Sequence, residues 1–101
     1  MKGVISLARK DLDNYEVRSK SRMSSSEVNK CIERSQEMIS LYDNYLDIST
    51  HIYNQFNDEY DDKQWHCMAF SSTGGQSRVS ARQYCQLLFG GVLHIEIFNA
   101  K

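Results

Sequence analysis

Several things are scarce in this chain, and each scarcity removes a class of function. There is no basic excess: 12 Lys and Arg stand against 13 Asp and Glu, for a formal net charge of −1. General binders of nucleic acid or of anionic membranes depend on such an excess, so neither partner is expected. There are three cysteines, Cys31, Cys67 and Cys85, an odd number at wide spacings with no CxxC among them. Zinc knuckles and thioredoxin-like chemistry therefore have no support, and reduced thiols in a cytosolic protein are the expectation, with no metal or cofactor. No long apolar run exists. Val4-Ile5-Ser6-Leu7-Ala8 is the nearest approach near the start, too short for a signal peptide or a membrane span, so a soluble intracellular protein is expected. Proline is absent, and Ser24-Ser25-Ser26 is the only hint of low complexity.

What is present reads as one globular domain. The 101 residues are 41% hydrophobic and 25% charged, ordinary for a folded chain. A chain this short buries only about 60–65% of its unfolded surface, so a lone core is marginal. Residues 1–14 lack periodicity and read as a flexible or partner-ordered extension; the domain proper spans 15–101. Tyr15 to Arg22 alternates weakly, as a polar edge strand does.

Ser24-Ser25-Ser26-Glu27 fits the S-x-x-E capping box, in which serine and glutamate satisfy each other's helix-end amides. Val28, Cys31, Ile32, Ser35, Met38, Ile39 and Tyr42 then recur at three and four residues, one stripe of an amphipathic helix. Asp43-Asn44 interrupts it. Asn44 is a suitable cap for a second helix, with Asp47 in its first turn and Ile48, Ile52 and Phe56 along its stripe. After Asp61-Asp62-Lys63 the period changes from 3.6 to 2. Gln64–Phe70, Gln76–Ser80, Gln83–Phe89 and Val92–Phe98 read as strands, with turns at Ser72-Thr73-Gly74-Gly75 and at Gly90-Gly91. Strand, two helices and an antiparallel meander of four strands make an α+β domain, two helices packed on an antiparallel sheet.

Trp65-His66-Cys67 decides between an enzyme and a binding module. A histidine beside a cysteine suggests a nucleophile and its base, or half of a metal site. Side chains on a strand alternate faces, however, so His66 and Cys67 point in opposite directions and cannot cooperate without a bulge. Packing outweighs catalysis on that geometry, and Cys67 under the helices would be inert. The same alternation sets Trp65, Cys67 and Ala69 against His66, Met68 and Phe70, and neither face is clearly polar. A strand apolar on both sides needs cover on both. Two helices supply one layer, and the most economical second layer is another copy of the chain, so a dimer is expected. A partner lying over His66 would make association sensitive to pH near ~6.5.

Asp47–Tyr60, "DISTHIYNQFNDEY", followed by Trp65-His66-Cys67 and then Gly74 and Gly90, resembles the small dynein light chains of the type 1/2 group. The likeness covers residues 15–101, ungapped from Met23 to Tyr60, with one inserted residue in Asp61–Gln64, then ungapped to Gly90. The resemblance implies a non-catalytic, dimeric hub that binds dynein intermediate chains. It implies helices outside two face-to-face sheets, with the segment around Gly75–Ser80 exchanged into the partner's sheet. Extended partner segments would add as a strand beside the exchanged one, backbone amides supplying affinity and side-chain pockets supplying choice. Two grooves would favour paired partner chains. Carried over by position, Thr73, Gly74, Gly75, Gln76, Ser77, Arg78 and Val79 form the groove strand and Tyr84, Gln86 and Leu88 its floor. His66, Met68, Tyr45 and Leu46 fall at the dimer interface.

The pockets depart from the family's pattern. Thr73 stands where an aromatic is usual, Gln76 for a tyrosine, Arg78-Val79 for a threonine–histidine pair, and Gln86 and Leu88 for two tyrosines. Tyr45-Leu46 replaces the acidic–lysine pair that caps a ligand glutamine. A dedicated partner segment is therefore expected rather than the common Thr-Gln-Thr type, with Arg78 either meeting an acidic or carbonyl-rich segment or simply solvated. A specialised cytoskeletal complex such as a ciliary axonemal dynein arm, with pairing to itself or to a more typical light chain, follows as an expectation. Two alternatives remain: a small thiol- or metal-dependent enzyme using His66, Cys67 and Cys85, and a monomeric scaffold offering an edge strand. The first strand is also open, because Lys2–Arg9 resembles the family's opening and would turn 10–22 into a loop. The last strand is ambiguous by one residue, between Ile97 and Phe98.

Overall fold

A computed structural model describes residues 12–60, 64–71 and 81–99. The chain runs β1 (Tyr15–Ser21), α1 (Ser25–Leu41), α2 (Tyr45–Glu59), β2 (Trp65–Ser71), β3 (Gln83–Phe89) and β4 (Leu93–Asn99). It is an α+β domain, two helices packed on a four-stranded antiparallel sheet. The extension over 1–11, the turn beginning at Ser72, the strand over Gln76–Ser80 and the groove residues Thr73, Gly74, Gly75, Gln76, Ser77, Arg78 and Val79 lie outside the described residues.

Local signals place the helices. The Ser24 hydroxyl accepts from the Glu27 amide at 3.1 Å and the Glu27 carboxylate from the Ser24 amide at 2.9 Å, which completes the capping box. The Asn44 side chain accepts from the Asp47 amide at 2.9 Å and opens α2 the same way. The two stripes meet the sheet: Val28, Cys31, Ser35 and Met38 of α1 and Ile48, Ile52 and Phe56 of α2 are buried. Across the helix pair, Arg34 Nε meets Glu59 at 2.6 Å and Lys30 meets the same carboxylate at 3.5 Å.

The helix-covered side of the sheet is built by alternation. Trp65, Cys85, Leu87, Phe89, Leu93, Ile95 and Ile97 join the core, and Cys67 and Ala69 pack against it. Leu93, Ile95 and Ile97 thus share the helix face, and His94, Glu96 and Phe98 the other. The first strand is Tyr15–Ser21, not a loop.

The strand order differs from the expected meander. Among the described residues it is β1-β3-β4-β2, so β2 pairs with β4 and not with β3. Burial explains the sorting. β3 and β4 carry the most fully buried residues and lie in the middle; β1, exposed at all seven positions, and the half-buried β2 take the edges among the described residues. Between β3 and β4, Gly90 and Gly91 have positive φ of 59° and 70°, closed by a 3.0 Å bond from the Val92 amide to the Phe89 carbonyl. That requirement explains the glycine pair.

Candidate functional site

The sheet's β2 edge and the face of α2 beside it enclose a groove of about 610 Å³. Helix α2 contributes Leu46, Ser49, Thr50 and Tyr53, which recur at three and four residues on the face away from the core stripe. The strand contributes His66, Cys67 and Met68, and β4 adds Phe98. None of these lining residues carries a carboxylate, ammonium or guanidinium. Leu46 is 71% exposed and Tyr53 37%, large apolar surfaces at the groove's mouth. The His66 ring lies between Tyr53 and Phe98, with centroids 6.3 Å and 5.5 Å away.

Asn57, one turn beyond Tyr53, holds this edge in place. Its side chain donates to the Trp65 carbonyl at 3.0 Å and to the Tyr53 carbonyl at 2.9 Å, and accepts from the Trp65 amide at 2.9 Å. The amide thus pairs with Trp65 as a neighbouring strand would. The Trp65 backbone therefore points away from β4, and by the two-residue period so do the backbone groups of Cys67 and Ala69. Among the described residues, no strand pairs with that outer side of β2.

The residues singled out from the sequence divide between two places. His66, Met68 and Leu46 come together in the groove, whereas Tyr45 packs against the core. Tyr84, Gln86 and Leu88 lie on β3, on the sheet face away from the helices, and do not reach the groove. There they meet a polar cluster. Glu96, with no exposed surface, accepts from Gln86 Nε2 at 3.1 Å, and that amide also lies 3.4 Å from His94 Nδ1. Burial, and then the Glu96 carboxylate, push the Tyr84 phenol well above its usual range. Burial and the field of Arg18 lower His94, with Glu96 opposing them. The His94 ring stacks on Phe70 at 5.0 Å and 9°. Alternation along β4 puts His94, Glu96 and Phe98 on one face, but nothing in the sequence marks Glu96 as the buried centre.

The cysteines are chemically distinct. Cys67 is half-buried as a residue, but its sulfur turns inward to within 3.9 Å of the Met68 carbonyl. Burial, and secondarily Glu96, push its thiol far up, the opposite of what a nucleophile needs. His66 projects from the other face of the strand, as alternation required. Among the described residues, no three His, Cys, Asp or Glu side chains group to hold a metal ion, and no helix is long and apolar enough to cross a membrane.

Asn57, Ser49, Thr50, Tyr53 and Phe98 went unrecognised as site residues. The signal available for the helical ones was Leu46 and Tyr53, apolar residues seven apart and off the core stripe. Comparison with family models and with curated proteins returned no match.

Proposed function

We propose that this chain is a non-catalytic light-chain subunit of a dynein motor, a dimeric hub that takes extended intermediate-chain segments by strand addition. The observation that carries the reading is the outer edge of β2. Its backbone groups at Cys67 and Ala69 point outward, beside an uncharged groove lined by Leu46, Tyr53, Met68 and Phe98. An added strand needs that combination: main-chain partners for affinity and adjacent side-chain surface for choice. The helix carrying Asp47–Tyr60 and the strand carrying Trp65-His66-Cys67, where the resemblance is densest, are the two walls of this groove.

The exchanged strand from a second copy is the natural first occupant of the edge, and a partner segment then lies beside it. Two copies present two grooves, so a paired intermediate chain binds twice and stabilises the dimer by mass action. Leu46, in place of a charged cap, favours a segment with an apolar side chain at that end of the groove. The site of action is cytoplasmic and cytoskeletal, with an axonemal dynein arm as the specialised setting. Against the thiol-enzyme alternative stand the raised Cys67 thiol and its separation from His66 by the strand.

Ala69→Pro tests the reading. It removes one outward amide and leaves the ladder to β4 intact, a substitution an edge strand accommodates. Sedimentation should show wild-type dimers at micromolar concentration and Ala69→Pro monomers with an unchanged far-ultraviolet spectrum. Wild-type monomers, or a variant that dimerises normally, would refute the proposal. Native mass spectrometry with a more typical light chain then separates self-pairing from mixed pairing, and a pull-down with Arg78→Glu as control identifies the retained partner.

A further inference from the structure

The seam between α2 and β2 is closed at one end and open along the rest. At the closed end, Asn57 Nδ2 donates to the Trp65 carbonyl at 3.0 Å, and Asn57 Oδ1 accepts from the Trp65 amide at 2.9 Å. The same Nδ2 also donates to the Tyr53 carbonyl at 2.9 Å, one helical turn back, so the amide that meets Trp65 is tethered to its own helix. Gln64 Nε2 donates to the Tyr53 hydroxyl at 3.2 Å across this end. Further along the strand, the backbone groups of Cys67 and Ala69 face outward, and among the described residues no strand pairs with them.

This asymmetry bears on where an added strand stops. A strand laid on an open edge can slide by two residues and keep both its hydrogen-bonding pattern and the facing of its side chains. Alternation therefore leaves its position along the edge unset. The Trp65 amide has a single hydrogen, and Asn57 already takes it. A strand lying along β2 finds its last main-chain partner at Cys67, and a slide past that point has to break both Asn57–Trp65 bonds.

We propose that Asn57 is a register stop: its side-chain amide stands in for the next pairing position and ends an added strand at Cys67. This role rests on the strand addition to β2 proposed above. It gives Asn57 a choice among registers that main-chain pairing cannot make, because registers two residues apart are equivalent to the backbone. The stop thereby sets which residue of the incoming segment lies beside Tyr53, whose ring is 37% exposed and lines the groove. A segment is then selected by the spacing of its side chains from that fixed end.

The test is amide hydrogen exchange, read by NMR on the full chain at concentrations that span dimer dissociation. Each rate is divided by that of the Leu87 amide in the interior strand β3, which removes changes in global stability. Protection at Cys67 and Ala69 should rise with dimer formation by about fivefold or more, the factor one ordinary hydrogen bond supplies. Protection at Trp65 should be present throughout and stay constant. A Trp65 amide gaining protection in step with Cys67 and Ala69 would be held by the partner strand, which overturns the stop and leaves strand addition standing. Cys67 and Ala69 unprotected at every concentration would overturn both. In Asn57→Ala the added strand should advance by one pair, so that Trp65 protection becomes dimer-dependent and rises with that of Cys67. Trp65 protection that stays independent of concentration in this variant, or is absent from its dimers, would also overturn the stop. Should Asn57→Ala fold poorly, the wild-type series decides without it.

Discussion

Asn57→Ala is the most informative single change outside the core. It removes three hydrogen bonds at once, two with the Trp65 backbone and one to the Tyr53 carbonyl. A typical intramolecular hydrogen bond contributes about 1 kcal/mol net, so the gross loss is about 3 kcal/mol. Alanine returns roughly 0.5 kcal/mol through its better helix propensity, and water reaching this half-buried site recovers a little more. A net loss of about 2 kcal/mol follows, or roughly 8–16 °C in Tm for a domain of this size. Trp65 is the sole tryptophan and is 1% exposed, so its fluorescence reports urea unfolding at the altered place. The control is Asn54→Ala, the same chemistry on an exposed position of the same helix, expected to change stability by less than about 0.5 kcal/mol. The m-value should be common to all three proteins. If Asn57→Ala and Asn54→Ala unfold within about 0.5 kcal/mol of each other, the side chain is not holding β2 to α2, and the argument for which backbone groups face outward loses its support.

Other consequences are simpler to state. Ser24→Ala removes the bond to the Glu27 amide and should cost about 1 kcal/mol in urea unfolding, with amide exchange at the start of α1 accelerated first. Ser35→Ala should stabilise by up to about 1 kcal/mol, because the buried Ser35 hydroxyl has no hydrogen-bond partner among the described residues and alanine is the better helix former; a loss of stability would reveal a partner. His94 titrates below its ordinary 6.5, through burial first and Arg18 second, so the folded chain binds fewer protons there than the unfolded one. Its contribution is complete above pH 6.5 and lost as pH falls toward the folded value. His94→Gln should therefore flatten the fall in stability between about pH 7 and 5, measured against wild type by urea unfolding. A variant with the wild-type slope would assign that fall to other groups.

Everything governed by near neighbours in the chain was readable in advance. The Ser24–Glu27 box, the Asn44 cap and the two helical stripes follow from side chains three and four residues apart, distances that backbone geometry sets. Alternation alone turned His66 and Cys67 to opposite faces, and the need for positive φ picked out Gly90-Gly91.

Other features arise from partners far apart in sequence, and only the tertiary structure could decide them. The sheet order was one: the expected meander put β3 between β2 and β4, whereas among the described residues β4 lies between β3 and β2. That placement gives the chain an outward-facing backbone beside α2. Asn57 looked like any polar residue on a helix until it met Trp65 across the turn. Glu96 looked like the exposed half of an alternating strand until Gln86 and Tyr84 converged on it. Cys31 and Cys85, far apart in sequence, enter one core cluster only once α1 packs on the sheet. The difference is physical: caps and stripes are satisfied within one or two turns of chain, whereas an edge and a buried carboxylate exist only once separate elements share one core.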